Sequence, residues 1–411
     1  MKNTLWTRDY SLLIGATVLG AAGGIAGSFA LSFLVYDETG STFAAALLIA
    51  IRIVPGFFLP LIAGPILDRL PRKAFLVGGD AVGGALYALM GLYLLFRDFS
   101  YTGYLAFSLL LSCLGVFDQL AYESIYPSLI PAGFTEKGYT VSSMLYPVVQ
   151  VIMTPLAAAA LRSIGVGRIL LVQGALSIAA ALLESRIRVR PLPQEDAAAP
   201  FSLRTWAGDL REAARYLKSE PGLRAIYGYM AFTNGAATGA SPLLVAFFRT
   251  APGFTAAMYS FFSAAEFLGR TVGGLLHYFV RIPERRRFSF AFFVYQCYEA
   301  MDACLLWLPY PLMLANRAVC GFLGVNSAAL RQAAVQRYIP ERLRARLAAL
   351  SSVLSSCVYC VLTLAIGALG ELLPAPVCLT VCGLTTSAVC FATVFRRRAS
   401  VRAIYNAPDA A

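Results

Sequence analysis

From Tyr10 to Tyr36 the chain runs 27 residues without one charged side chain. A helix needs about 20 residues to cross about 30 Å of hydrocarbon. This run is therefore long enough to span a bilayer, and too long for the apolar core of about 7 to 15 residues in a signal peptide, although Lys2 and Arg8 precede it. Comparable runs recur along the sequence. With 58% hydrophobic and 14% charged residues, the chain has too little polar surface to coat a soluble globule, so its solvent is lipid. The runs are continuously apolar, which favours helices over the alternating strands of a barrel.

Spans are expected at 10–36, 43–67, 74–96, 102–127, 139–161 and 168–187, and again at 222–248, 255–280, 287–308, 310–336, 346–370 and 374–395. The two sets are related. At a shift of 209 residues Gly64, which heads Gly64-Pro65-Ile66-Leu67-Asp68-Arg69-Leu70-Pro71-Arg72-Lys73, falls on Gly273, and Ile130-Pro131 falls on Ile339-Pro340. A repeat at equal rank among apolar runs predicts an all-α integral membrane protein, its twelve transmembrane helices forming two pseudo-symmetric six-helix bundles. The expected domains are a first bundle at 1–187, a linker at 188–221 and a second bundle at 222–411. Within the linker, Leu203, Trp206, Leu210, Ala213, Ala214 and Leu217 recur at helical spacing with charges between them, predicting an amphipathic helix along the membrane interface. A passive tether and a regulatory element fit it equally.

Basic residues set the orientation, because cytoplasmic loops hold the excess of Lys and Arg. With both termini inside, only Arg97, Arg162, Arg168 and Arg249 of the 34 Lys and Arg residues fall on the far side, while Arg52, Arg270, Arg317 and Arg331 lie within spans. The net charge of +12 thus reflects topology and attraction to anionic membrane lipid, with no nucleic-acid partner implied. The nine cysteines all fall in predicted spans, so no disulfide framework is expected. The Cys357/Cys360 pair is read as packing. No phosphate-binding loop, metal-spacing cluster or nucleophile motif occurs, which argues against an ATP-driven pump, an enzyme and any cofactor. Glycines crowd the first span (Gly15, Gly20, Gly23, Gly24, Gly27) and the seventh (Gly228, Gly235, Gly239), where close helix packing and gating are both open readings. Pro147 and Pro155 should bend the fifth.

These features resemble the major facilitator superfamily. The loop Gly64 to Lys73 is similar to its signature Gly-x-x-x-Asp-Arg-x-Gly-Arg-Lys/Arg, with Pro71 in place of the second glycine. Trp6, Arg8, Asp9 and Tyr10 at the start, Thr39-Gly40-Ser41 after the first span, and Pro340, Glu341, Arg344, Ala345 and Arg346 before the eleventh resemble the bacterial branch of macrolide and enterobactin exporters. The resemblance implies a major facilitator fold in which Gly64, Asp68, Arg69, Arg72 and Lys73 form a gating latch. Asp68 would face the positive end of span eleven, and Arg69 and Arg72 would reach Glu123, whose network breaks when the halves rock.

Charges inside the membrane cost a few kcal/mol each and are functional candidates by default. Away from span ends stand Asp80, Asp118, Glu123, Glu266, Glu299 and Asp302 against Arg52, Arg270, Arg317 and Arg331. Glu266 and Arg270, four apart, should pair along one helix, and Asp302 and Arg317 lie at similar depth. Asp118 is the candidate coupling carboxylate, since the resemblance places span four among the cavity-lining helices. The alternatives are a hydrogen bond to a neighbouring helix or a permanent pair with Arg52. Phe117, Gln119, Tyr122, Phe232, Asn234, Phe322 and Asn326 complete the expected substrate site, a mix suited to an amphipathic molecule. The expectation is a monomeric secondary transporter of the bacterial cytoplasmic membrane that exports a drug-like or siderophore-like compound against protons. Lipid or lysolipid movement and nutrient import are the alternatives.

Overall fold

The computed structural model describes residues 4–60, 71–131, 134–188, 203–279 and 282–407. All regular structure among them is helical: α1 (Arg8–Thr39), α2 (Thr42–Ile53), α3 (Arg72–Phe96), α4 (Tyr101–Leu129), α5 (Thr135–Ser185), α6 (Leu203–Ser219), α7 (Pro221–Thr250), α8 (Ala256–Phe279), α9 (Arg287–Cys304), α10 (Tyr310–Tyr338), α11 (Glu341–Leu372), α12 (Ala375–Cys390) and α13 (Arg398–Tyr405). Each expected span starts within a few residues of a helix or of a helix break. Seven of the described helices are long and apolar enough to cross a membrane, α2 extending to Pro60 in that count.

Local chemistry sets the helix ends. Thr7 caps α1 by accepting from the Tyr10 amide at 3.3 Å, and Gly40 closes it in the left-handed region at φ 63°. Ser100 caps α4 through the Gly103 amide at 3.3 Å. A residue before proline is pushed out of the helical region, and this ends α4 at Ile130 (φ −79°, ψ 124°) and α10 at Ile339 (φ −78°, ψ 128°). The 209-residue repeat is thus visible in the backbone, for Tyr101–Leu129 falls on Tyr310–Tyr338. At Gly165 (φ 75°) the long α5 breaks into two limbs, and the same shift reaches Pro374, which separates α11 from α12. Pro147 and Pro155 lie within the first limb of α5.

The chain divides into two compact units. The first holds 1–40, 51–200 and 255–260, and the second holds 41–50, 201–254 and 261–411. At one end of the first unit Tyr10, Leu13, Ile14, Leu76, Ile125, Tyr126 and Ile187 form a core. The Tyr10 and Tyr126 hydroxyls meet at 3.2 Å, and Tyr126 donates to the Gly138 carbonyl. Inside this unit, α3 and the second limb of α5 touch backbone to backbone. A Cβ on Gly84 would lie 2.8 Å from the Gly174 carbonyl, and one on Gly91 would lie 2.7 Å from the Gly167 carbonyl. These two pairs, each seven residues apart, make a close seam of small residues. Its counterpart in the second unit is Gly383, where a Cβ would lie 2.8 Å from the Glu299 carbonyl of α9. Gly383 stands at the repeat position of Gly174.

Of the glycines in α1, Gly23 and Gly27 are occupied by close packing, since a Cβ on Gly27 would overlap the Gln173 side chain, whereas Gly20 and Gly24 face open space. In the second unit, Leu223, Tyr229, Phe288, Tyr295, Ile404 and Tyr405 build the core, and the Tyr295 and Tyr405 hydroxyls meet at 2.6 Å. The linker helix α6 buries Ala213 and Leu217 in that same core and pairs Glu212 with Arg346 of α11. Part of its apolar stripe is therefore turned to protein, where the sequence suggested lipid. All nine cysteines are free.

Candidate functional site

The first unit holds a partly open polar cavity of about 270 Å³ at the Asp80–Asp118 level. Ser28 of α1, Arg52 of α2, Asp80 and Tyr87 of α3, Asp118 of α4 and Ser177 of α5 all line it. Glycine makes room for the central acid, because a Cβ on Gly79 would sit 3.2 Å from both Cβ and Oδ1 of Asp118. Ser177 donates to Asp80 Oδ1 at 3.3 Å. The glycine seam positions this pair. Asp80 lies one turn from Gly84, and Ser177 lies about one turn from Gly174.

Asp118 differs from its neighbour in having a buried oxygen, Oδ1, that meets no hydrogen-bond partner. Buried polar atoms are nearly always satisfied, so an orphan of this kind marks strain, chemistry or an exchangeable guest such as water or a proton. Arg52 shares the cavity, yet among the described residues it forms no ion pair with Asp118, and no neighbouring helix supplies a donor to Oδ1.

Two further buried groups lie beside this cavity on α5. Glu184 is 4% exposed, with Oε2 unpartnered, and Gln173 is 5% exposed, with Oε1 unpartnered. Sequence reasoning missed Ser177, Gln173 and Glu184. Their signal was the helical spacing of 173, 177 and 184, which places three polar side chains on one face of an otherwise apolar limb.

The other expected site residues are distributed as follows. Phe117 stacks on Phe75 with centroids 6.0 Å apart, and Tyr122 stacks on Tyr126 at 5.4 Å. Gln119 donates to Glu123 at 2.5 Å along exposed α4. In the second unit Phe232 and Phe322 are half-buried and Asn234 is exposed. Asn326 is buried, and its amide donates to the Gly273 and Phe322 carbonyls at 3.2 and 2.7 Å, tying α8 to α10. Of the latch residues, Gly64, Asp68 and Arg69 lie outside the described residues. Lys73 donates to the Ser185 carbonyl at 2.6 Å, a cation at the negative end of α5, and Arg72 opens α3.

Charges in the second unit are neutralised locally. Arg317 and Asp302 pair at 3.0 Å, with the guanidinium 5.1 Å over the Phe262 ring. Glu266 and Arg270 pair at 2.8 Å along α8. Glu299 accepts from the Tyr229 and Thr233 hydroxyls, each at 2.8 Å. Asp302 Oδ1 and Arg317 Nε also lack hydrogen-bond partners, but Asp302 has a cation at 3.0 Å. Neither Asp118 nor Glu184 forms an ion pair among the described residues, and of these two Asp118 lines the cavity and is the candidate for chemistry. Among the described residues, no group of His, Cys, Asp and Glu is arranged to hold a metal ion.

No family model matches the chain, and no curated protein matches it by sequence. Solved structures do. The nucleoside transporter NupG, crystallised as a point mutant, superposes with a TM-score of 0.72 at 12% identity, covering 95% of this chain and 99% of its own. This chain has the major facilitator fold. A POT family transporter in complex with a thioalcohol-conjugated peptide matches at TM-score 0.68 and 11% identity, over 96% of each chain. A bacterial homolog of the human lysosomal transporter Spinster, inward-facing and unoccupied, matches at TM-score 0.62 and 15% identity, over 97% of this chain and 94% of its own. The likeness is one of fold and extends over nearly the full length of the chain.

Proposed function

We propose that the protein is a secondary transporter of the bacterial cytoplasmic membrane, with both termini inside, that exports an amphipathic small molecule in exchange for protons bound at Asp118. The observation that carries this reading is the unpartnered Asp118 oxygen in a cavity it shares with Asp80 and Arg52. A carboxylate whose oxygen no protein donor satisfies is free to take up and release a proton as its exposure changes. Phe117, Gln119, Tyr122, Phe232, Asn234 and Phe322 remain the proposed substrate contacts. The loop holding Gly64, Asp68, Arg69, Arg72 and Lys73 is proposed to latch onto Glu123. Cysteine crosslinking across this face should fall in Glu123→Gln, and unchanged crosslinking removes Glu123 from the latch.

The export reading rests on the resemblance to macrolide and enterobactin exporters. Among the matched structures stand a nucleoside transporter and a peptide transporter. A polar nutrient carried inward is accordingly the second reading, and lysolipid movement a third. Proteoliposomes loaded with a pH-sensitive dye and challenged with a panel of drug-like, siderophore, nucleoside and lysolipid compounds distinguish them. Export by exchange predicts proton movement opposite to the compound. Movement of both in one direction would assign the chain to uptake, and no proton movement with any transported compound would remove the coupling role.

A further inference from the structure

The last apolar helix does not end in a plain cap. After Cys390 it widens into a π-helical turn, Phe391–Phe395, in which the Arg396 amide reaches back to the Phe391 carbonyl at 3.0 Å. Three arginines follow, Arg396, Arg397 and Arg398, the last of which opens α13. On one side Val394 is buried, and on the other Val401, Ile404 and Tyr405 are buried, so the basic turn is anchored in the core at both ends. Asn406 fixes the far end of α13, accepting from the Phe288 amide at 3.1 Å and donating to the Arg285 carbonyl at 3.2 Å.

Between these anchors lies an open cleft of about 540 Å³, lined by Phe391, Phe395 and residues 396–400. Phe391 and Phe395 form one wall with their rings 5.5 Å apart, and they are 46% and 38% exposed. The Arg398 guanidinium is already stacked 4.8 Å from the Phe395 centroid, and Arg402 lies 5.4 Å over Phe288. Among the described residues no carboxylate pairs with Arg396, Arg397, Arg398 or Arg402. Four unpaired arginines, one wall of exposed aromatic rings and a built cleft occur together where a 21-residue apolar helix, Ala375–Phe395, ends. The end of a spanning helix at that point lies at headgroup depth.

We infer that this cleft binds the headgroup of an anionic phospholipid. The phosphodiester lies among Arg396, Arg397 and Arg398, and the first acyl carbons lie against Phe391 and Phe395. Guanidinium offers paired donors that match a phosphate, which an ammonium cannot. The exposed rings favour a lipid over free phosphate, because an inorganic anion gains nothing from an apolar wall. The cleft differs from an ordinary topology-setting charge run in that Arg398 is oriented by stacking on Phe395 and the backbone is anchored on both sides by buried Val394, Val401 and Ile404.

The experiment is native mass spectrometry of the full-length chain in mild detergent, titrated with dioleoylphosphatidylglycerol, dioleoylphosphatidylcholine or inorganic phosphate. The wild type should retain one phosphatidylglycerol per chain in preference to phosphatidylcholine. Each basic residue at a membrane surface contributes about fivefold in affinity, so R396Q/R397Q/R398Q should weaken phosphatidylglycerol binding on the order of a hundredfold. Arg285→Gln with Arg286→Gln, which removes two basic residues from a turn outside the cleft, should weaken it far less than the triple variant and controls for net charge. Phe395→Ala should weaken phosphatidylglycerol and spare any phosphate binding. Equal binding of the two lipids, full binding by the triple variant, equal losses in the Arg285/Arg286 control, or displacement of the lipid by equimolar inorganic phosphate would each overturn the assignment. Elution and melting of the triple variant in phosphatidylcholine verify that it folds. Should it not fold, Arg397→Gln alone must show the fivefold loss.

Discussion

The seam between α3 and α5 carries a prediction whose size follows from distances. An alanine Cβ at position 91 would stand 2.7 Å from the Gly167 carbonyl and 2.9 Å from the Leu171 amide nitrogen, roughly 0.7 Å inside an ordinary contact of 3.4 Å. Both atoms are backbone, so no rotamer change relieves the overlap and the helices must separate. Overpacking of this kind costs about 1–3 kcal/mol. The gain from replacing a helical glycine, about 0.5–1 kcal/mol, offsets it in part, leaving a net loss of up to about 2.5 kcal/mol, centred on about 1 kcal/mol, for Gly91→Ala. Gly84→Ala meets Gly174 at 2.8 Å and should lose a similar amount. Gly78→Ala, on the same helix with nothing within 4 Å, should be neutral or stabilising. Because one separation relieves both overlaps, the double variant should lose less than the sum of the singles. The assay is the temperature at which half of the detergent-purified protein stays monodisperse. Gly84→Ala and Gly91→Ala variants as stable as Gly78→Ala would refute the seam.

Three further outcomes follow from the second unit. Arg317→Met leaves Asp302 buried and alone and should cost about 3–5 kcal/mol, while adding Asp302→Leu should recover most of it; a double variant no better than the single contradicts the pairing. Glu299→Leu strips the acceptor from one buried and one half-buried hydroxyl, at about 1–3 kcal/mol, whereas Glu299→Gln keeps an acceptor and should melt closer to wild type. Glu371 accepts from Ser41 Oγ at 2.8 Å, Thr42 Oγ1 at 3.0 Å and the Phe43 amide at 2.9 Å, a carboxylate at the positive end of α2. Glu371→Leu should therefore lower the melting temperature more than Glu371→Gln does, and equal effects would show that the contact holds nothing.

Much of the fold is legible in the sequence, because lipid forces backbone groups to bond within a helix and so converts apolar length directly into secondary structure. Ile130-Pro131 and Ile339-Pro340 even fix the ends of α4 and α10, since proline acts locally. The pairs Glu266–Arg270 and Asp302–Arg317 were readable from spacing and depth. The packing was harder to read. Gly84, Gly91, Gly167 and Gly174 show their seven-residue spacing only when two separate helices are compared, and nothing in one sequence says which helices touch. The same limit hid Ser177 and Glu184, whose polarity matters only because α3 and α4 bring Asp80 and Asp118 to them. Asn326, expected in a substrate site, spends its amide on two carbonyls, a use that composition cannot separate from ligand binding.

The account turns on Asp118 as the coupling group, and the direct measurement compares two transport modes in proteoliposomes holding Asp118→Asn. Asparagine preserves size and polarity but cannot exchange a proton. Exchange of labelled substrate across the bilayer without any gradient should survive, while accumulation driven by an imposed pH gradient should be lost, and Asp80→Asn serves as the neighbour in the same cavity. Gradient-driven accumulation at wild-type level in Asp118→Asn would contradict the account.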